Sequence, residues 1–406
     1  MLMNIIVMKF GGTSVANIKK IKNIAKTVSK HSKNNKIIVI LSAMSGVTNE
    51  LQSYIDEIGF QPSIETDLVM TSGEQVTIGL LSMILNNIGI KSVPLLGWQV
   101  PIITDKNHEK GRILNIKKEN IYNFFKTKDV IVLAGFQGIS VDGFVTSLGR
   151  GGSDTTAVAI AATLNAEKCY IYTDVDGVFT TDPNIEPSAK KIDKVSYEEM
   201  LEMSSTGAKV LQTRSVELAM KNNLTLQVLS SLTDIEGTYI IDENQLIEKE
   251  IVSGVSYSKN ESKVTISGIP DKPGISAKIF GLMASNNINV DMIVQNISQD
   301  GINANVTFTV PNKDLTFVKK IIEDKVNELK YTNLSADSSI AKISVIGMGM
   351  MSQSGVAEKM FKTLAKKKIN ILAISTSEIK ISVLIDKKYT EEAIKSLHSV
   401  YKLDKK

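Results

Sequence analysis

Apolar positions along the chain follow two rhythms, one in each half. In the first half, short unbroken apolar runs alternate with stretches at helical spacing. Ile5–Phe10, Lys36–Leu41 (KIIVIL), Val130–Ala134 (VIVLA) and Cys169–Thr173 lack polar alternation, so they are predicted to be strands covered on both faces. Val15–Ser29 places Ile18, Ile21, Ile24, Ala25 and Val28 on one helical face. Further helices are predicted over roughly 65–88, 117–126, 153–164 and 207–222. This order predicts an α/β sandwich with a largely parallel sheet and functional loops at strand C-termini.

The rhythm changes after the polar stretch Asp242–Lys249 (DENQLIEK), which marks a domain boundary. Beyond it, Lys263-Val-Thr-Ile-Ser-Gly268 resembles Lys342-Ile-Ser-Val-Ile-Gly347. Gly274-Ile-Ser-Ala-Lys-Ile-Phe280 matches Gly355-Val-Ala-Glu-Lys-Met-Phe361, and Ile288-Asn289-Val290 matches Ile369-Asn370-Ile371. The repeat of about 80 residues predicts two related α+β modules, each reading strand, helix, strand, strand, helix. The expected domains are 1–245, 246–335 and 336–406.

Composition narrows the class. The 406 residues are 43% hydrophobic and 22% charged with a net charge of +4, as in a soluble globular protein of two or three domains. Lysines are scattered or sit at helix ends such as Ala365-Lys366-Lys367-Lys368, which argues against nucleic-acid binding. The single Cys169 lies in an apolar strand and fits a buried position in a reducing compartment. The start MLMNIIVMKF has no basic leader, and no segment is expected to span a membrane, so the expected location is cytoplasmic.

Four stretches carry candidate chemistry. In VMKFGGTSVAN, Lys9 ends a strand and Gly11-Gly12 removes side chains after it, with Thr13-Ser14 placed to cap a helix. Such a stretch is either a tight turn or a phosphate cradle, and the Walker A spacing is absent. In Leu148-Gly149-Arg150-Gly151-Gly152-Ser153-Asp154, three glycines lead into a helix. A helix cap accounts for Asp154, but not for an arginine between glycines, which can fork onto a carboxylate. Thr71-Ser72-Gly73-Glu74-Gln75 puts a carboxylate inside an apolar helical stretch, as either solvated charge or a ligand group. Tyr172-Thr173-Asp174 through Asp182-Pro183 follows a strand and reads as a surface loop or a nucleotide loop. Two glycine-rich anion sites with a lysine, an arginine and carboxylates suit phosphoryl transfer between a nucleotide and a small acid.

KFGGTSV, SAMSGVTNEL, TSGEQ, AGFQG, GRGGSDTTA, YTDVDGVFTTDP and ISTSEIKISVLI, in this order, resemble the aspartokinase family. The resemblance implies an amino-acid-kinase three-layer sandwich followed by two ferredoxin-like ACT modules. It implies MgATP-dependent phosphorylation of the L-aspartate side chain, the entry to lysine, threonine and methionine synthesis. Carried over by motif, Lys9 would bridge the ATP phosphates with Phe10, Gly11, Gly12 and Ser14 around them. Thr173, Asp174, Phe179, Asp182, Pro183 and Lys209 would hold ATP, the metal riding on its phosphates rather than on a protein cluster. Ser42, Thr48, Glu74, Phe136, Arg150, Gly151 and Ser153 would line the aspartate pocket, with Asp154 organising the positive groups.

In the modules, Asp271, Gly274, Ile275, Asn289, Val290, Gln295, Asn370, Ile371, Ser377 and Glu378 match effector positions for lysine and/or threonine. A homodimer or homotetramer through these modules is implied. Phe179 and Asn184 stand where many relatives carry tyrosine and arginine, and Gln353-Ser354 where His-Pro is usual. The readings to be separated from this one are a sister kinase for glutamate, N-acetylglutamate or UMP, and an amino-acid sensor whose kinase half is inactive.

Overall fold

The computed structural model describes residues 4–207, 210–246, 251–298, 301–351 and 353–405. The chain divides into two compact units. The first holds residues 4–178, 191–205 and 210–246, and the second holds 179–190, 206–207 and the described residues from 251 onward. The segment Phe179–Lys190 therefore leaves the expected 1–245 domain and belongs to the second unit.

The four apolar runs form the centre of an eight-stranded sheet in the first unit. Its order is Lys194–Ser196, Thr238–Ile241, Leu226–Ser230, Lys168–Thr173, Ile5–Phe10, Lys36–Leu41, Val130–Ala134 and Ser92–Leu95. All neighbours are parallel except Leu226–Ser230 with Thr238–Ile241. Strand alternation sorts side chains between two helical layers. Ile6, Met8, Phe10, Val39, Leu41, Val132, Tyr170 and Tyr172 share a core with the helices Ile18–His31 and Gly73–Asn87. Ile5, Val7, Ile40, Leu133, Cys169 and Ile171 turn to the other face, where the buried helix Gly152–Leu164 packs. Each such buried side chain contributes about 1.5–3 kcal/mol. Cys169 is a member of that core, and burial pushes its thiol pKa up, so it stays protonated and inert.

Three local expectations change. The helix near 65–88 is two helices, Ile64–Met70 and Gly73–Asn87, broken at Thr71-Ser72. By length and composition alone Ile64–Asn87 is apolar enough to cross a membrane, contrary to the sequence expectation, but Ile78, Leu81 and Leu85 pack in the sheet core. The first helix begins at Ile18 rather than at Val15. Asn17 caps it by accepting from the Lys20 amide (3.0 Å), while Ser14 is buried and bonded to the Ser231 hydroxyl (2.7 Å). A small sheet of Ile113–Ile116, Ile102–Thr104, Gln137–Ser140 and Val145–Ser147 was not anticipated, because its strands are too short to show a period.

The second unit holds two antiparallel four-stranded sheets. One is built from Asp291–Ile297, Asn303–Pro311, Glu261–Pro270 and Asn333–Asp337, with helices Ile275–Ser285 and Leu315–Glu323. The other is Gly254–Ser258, Ile340–Ile346, Lys380–Asp386 and Ala373–Thr376, with helices Val356–Lys366 and Thr390–Val400. Gly254–Ser258 thus pairs with Ile340–Ile346 of the later module, not with the module that follows it in sequence. The first module is inserted between two strands of the second, which no chain-order boundary at 335 expresses.

Candidate active site

The C-terminal ends of neighbouring parallel strands bring the candidates together. Lys9 pairs in register with Ile40 on one side and Ile171 on the other. Ser42 follows one flanking strand and Thr173 ends the other, while Gly135-Phe136 follow the strand beyond Ser42. As an odd-numbered residue of its strand, Lys9 faces the layer of helix Gly152–Leu164. There its ammonium forms an ion pair with Asp154 without the alignment of a hydrogen bond. Both side chains are nearly buried, so each charge depends on the other. Asp154 therefore serves Lys9 rather than capping its helix, whose N-cap is Gly151 with no side-chain bond.

Around this pair the backbone is shaped for close approach. A Cβ at Gly12 would lie 3.0 Å from the Ala43 carbonyl oxygen. The Gly11 amide already donates to the Tyr172 carbonyl (3.4 Å), whereas the Gly12 amide has no intramolecular acceptor among the described residues. Phe136 takes the left-handed conformation (φ +68), a strained state for a residue with a Cβ. It is held by its amide donating to the Thr156 hydroxyl (3.2 Å) and its carbonyl accepting from the Leu148 amide (2.8 Å).

Glu74 opens the helix Gly73–Asn87 and is 2% exposed. Oε1 accepts from the Ala43 amide (3.0 Å), while Oε2 is buried without a partner. Burial pushes its pKa up to about 7, offset only in part by the backbone amides of Ala43 and Glu74. Such a carboxylate is poised for a cation. Arg150 is exposed on the loop between Leu148 and Gly151, free to reach an anion, while Ser153 is buried in the first helical turn. Thr48 lies in the first turn of Val47–Ile58, and the Ser42 carbonyl accepts from the Thr77 hydroxyl (3.0 Å).

The Phe10 ring faces the opposite layer and stacks on Tyr172 (centroids 4.4 Å apart), so its side chain is core. A groove of about 560 Å³ opens on that same face between Tyr170, Tyr172, Lys30 and Asp234, and Lys9 is not among its walls. Thr173 donates to Asp174 (3.2 Å) at the strand end. Phe179, Asp182 and Pro183 lie in the second unit, where Asp182 accepts from the Tyr257 hydroxyl (3.0 Å) and the Asn184 amide (2.9 Å). Lys209 lies outside the described residues.

In the first module, Gly274 (φ +93) caps the helix Ile275–Ser285, and the Ser276 hydroxyl donates to Gln295 (2.8 Å), joining the first turn of that helix to the strand Asp291–Ile297. Asp271, Asn289 and Gln295 are exposed around it, with Ile275 and Val290 half-buried. In the second module, Asn370, Ser377 and Glu378 are exposed and Ile371 half-buried, with Ser377 in the turn before Lys380–Asp386.

The profile of the amino acid kinase family matches residues 4–230, and that of the ACT domain matches 264–326 and 343–401. An aspartate kinase of Pseudomonas putida is 48% identical over 405 residues, covering 99% of this chain and 98% of the relative. The crystal structure of Escherichia coli aspartokinase III in complex with aspartate and ADP superposes with a TM-score of 0.83. It covers 98% and 99% of the two chains at 24% identity. The same enzyme in complex with lysine and aspartate gives a TM-score of 0.75 at 25% identity, covering 97% and 99%.

Proposed function

Since the chain belongs to the amino acid kinase family, and within it to the aspartokinases that carry ACT domains, we propose that it transfers the γ-phosphoryl group of ATP to the side-chain carboxylate of L-aspartate. The products are 4-phospho-L-aspartate and ADP, and the step opens lysine, threonine and methionine synthesis. The observation that carries this reading is Glu74. A buried carboxylate with one oxygen unmatched and a pKa near neutrality is the counterpart of an acceptor's α-ammonium. Arg150 takes the α-carboxylate bidentately, with Ser42, Thr48, Phe136, Gly151 and Ser153 closing the pocket.

An aspartate carboxylate is already ionised near neutrality, so no general base is required. Its oxygen attacks the γ-phosphorus as the bond to the ADP oxygen breaks, and the charge spreads over three phosphoryl oxygens. Lys9 and the Gly12 amide counter that charge, and Asp154 holds the ammonium in place. Thr173 and Asp174 receive the nucleotide at the end of the adjoining strand. A Mg²⁺ ion would come with the nucleotide phosphates and would supply screening of their charge.

The ACT modules would take lysine and/or threonine as feedback inhibitors, the loop Asp271–Ile275 and Gln295 offering a helix N-terminus to the effector carboxylate. Pairing through these modules makes a homodimer or homotetramer the expected assembly. The test is ADP release by the purified chain with MgATP, with and without aspartate, lysine and threonine. Release that depends on glutamate, N-acetylglutamate or UMP instead would replace the acceptor. A thermal shift with lysine or threonine but no ADP release with any acceptor would leave an amino-acid sensor.

A further inference from the structure

Asp67 lies within the helix Ile64–Met70 and is 0% exposed. A buried carboxylate is tolerated only when its oxygens are matched, and here they are. Oδ1 accepts from the Glu109 amide (3.0 Å) and the Ser147 hydroxyl (2.6 Å), and Oδ2 lies 2.7 Å from His108 Nδ1. Those partners wall the arginine loop from two sides. Glu109 is held at φ +60, a costly left-handed state, and its carbonyl oxygen would be 2.7 Å from a Cβ at Gly149. Ser147 ends the strand that runs directly into Leu148-Gly149-Arg150, and its carbonyl accepts from the Gly111 amide (2.9 Å). Arg214 closes the frame, donating to the carbonyls of Leu148 (2.9 Å) and Gly111 (2.8 Å).

The Asp67 main chain also holds the turn that precedes Glu74. Thr71 returns both its amide (3.1 Å) and its hydroxyl (2.8 Å) to the Asp67 carbonyl, and the helix that starts with Gly73-Glu74 follows at once. The Asp67 side chain therefore reaches His108 and Ser147 across sequence separations of 41 and 80 residues, while its carbonyl holds Thr71, three residues before Glu74.

We propose that Asp67, together with His108, is a positioning residue that fixes Arg150 relative to Glu74 and so sets the grip on the acceptor's α-amino-acid end. The assignment rests on the reading of Glu74 and Arg150 as acceptor groups. Neither Asp67 nor His108 touches substrate. Their effect is confined to acceptor binding and to the order of the loop.

Asp67→Asn keeps the size of the group and an acceptor for the Glu109 amide but removes the charge facing His108. His108→Ala removes the partner from a half-buried position and leaves Asp67 in place. Each should raise the KM for aspartate by about tenfold or more, as loss of a charge-assisted hydrogen bond does, with the KM for ATP within about twofold. Amide hydrogen exchange at Glu109 and Gly111 should quicken by about tenfold while the strands Ile5–Phe10 and Lys36–Leu41 keep their protection. If Asp67→Asn fails to fold, the His108→Ala arm decides. Unchanged exchange and an unchanged KM for aspartate in a folded variant overturn the proposal, and so does faster exchange with KM unmoved. A wild-type chain without aspartate-dependent turnover would instead overturn the reading of the acceptor site, and exchange alone would then decide whether Asp67 orders the loop.

Discussion

Lys9 and Asp154 form one unit, since removing either leaves a nearly buried charge alone. Lys9→Ala should cut kcat by about 10²–10³-fold or more, the cost of losing one preorganised charge in a transition state, with far-ultraviolet dichroism unchanged. An enzyme that keeps its turnover would remove Lys9 from the chemistry. Glu74 sets a pH limb of known sign. Its carboxyl is raised from 4.5 to about 7, so below that pH it is protonated and offers no charge to an ammonium group. The kcat/KM for aspartate should therefore climb toward about pH 7 and level above it, and Glu74→Gln should lose that limb. The ligand-free fold holds a proton there that the unfolded chain has released. Its stability should accordingly fall as pH rises between 4.5 and about 7. Lys9, Glu74, Arg150 and Asp154 stand out in the sequence because each breaks a local pattern, a cation at a strand end or a charge among glycines, and the fold pairs Lys9 with Asp154. Asp67 was not. In IETDLVM it looks like any helix carboxylate, and its meaning comes from His108 and Ser147, which no local period links to it.

Elements were legible where length allowed a period to show. The long apolar strands and the helix Gly152–Leu164 matched, whereas the first helix start depended on a competition among Thr13, Ser14 and Asn17. All three are good caps, and the winner was decided by Ser14 finding Ser231 across the fold. Asn17→Ala should lower stability by about 1 kcal/mol, seen as a reduced Tm, and should leave aspartate kinetics unchanged. In the second unit the inserted module is joined to its host by Lys342. This 2% exposed lysine on Ile340–Ile346 pairs with Glu261 (2.7 Å) and with Asp291 of the neighbouring sheet. Burial works against its charge, but the two carboxylates outweigh it and hold the ammonium pKa above the usual lysine range. Lys342→Met should destabilise the chain by about 3 kcal/mol, the lower end for a broken buried pair because Asp291 remains half exposed. Adding Glu261→Gln should recover part of that loss, and a double variant no better than the single one would show that Glu261 is not left stranded.

At the scale of the whole molecule, the repeat announced two modules but not their nesting. Both modules share one sequence signature, and strand exchange between them leaves that signature unchanged. Pairing decides it, with Ser258 opposite Lys342 and Gly254 opposite Ile346. The two strands would form a hairpin if the module between them were absent. Replacing residues 260–340 by an Asn-Gly turn, which keeps Ser258 opposite Lys342, should therefore give a soluble chain with one intact four-stranded sheet, checked by its circular dichroism and a cooperative thermal transition. An aggregated or molten product would refute the nesting.

The nesting also sets an order of events during synthesis. Gly254–Ser258 leaves the ribosome about 80 residues before its partner strand and has no sheet to join until then. If the inserted module folds first, its compaction draws those distant ends together and removes most of the entropy cost of closing so long a loop. The module between the two strands is then the internal chaperone of the sheet that surrounds it.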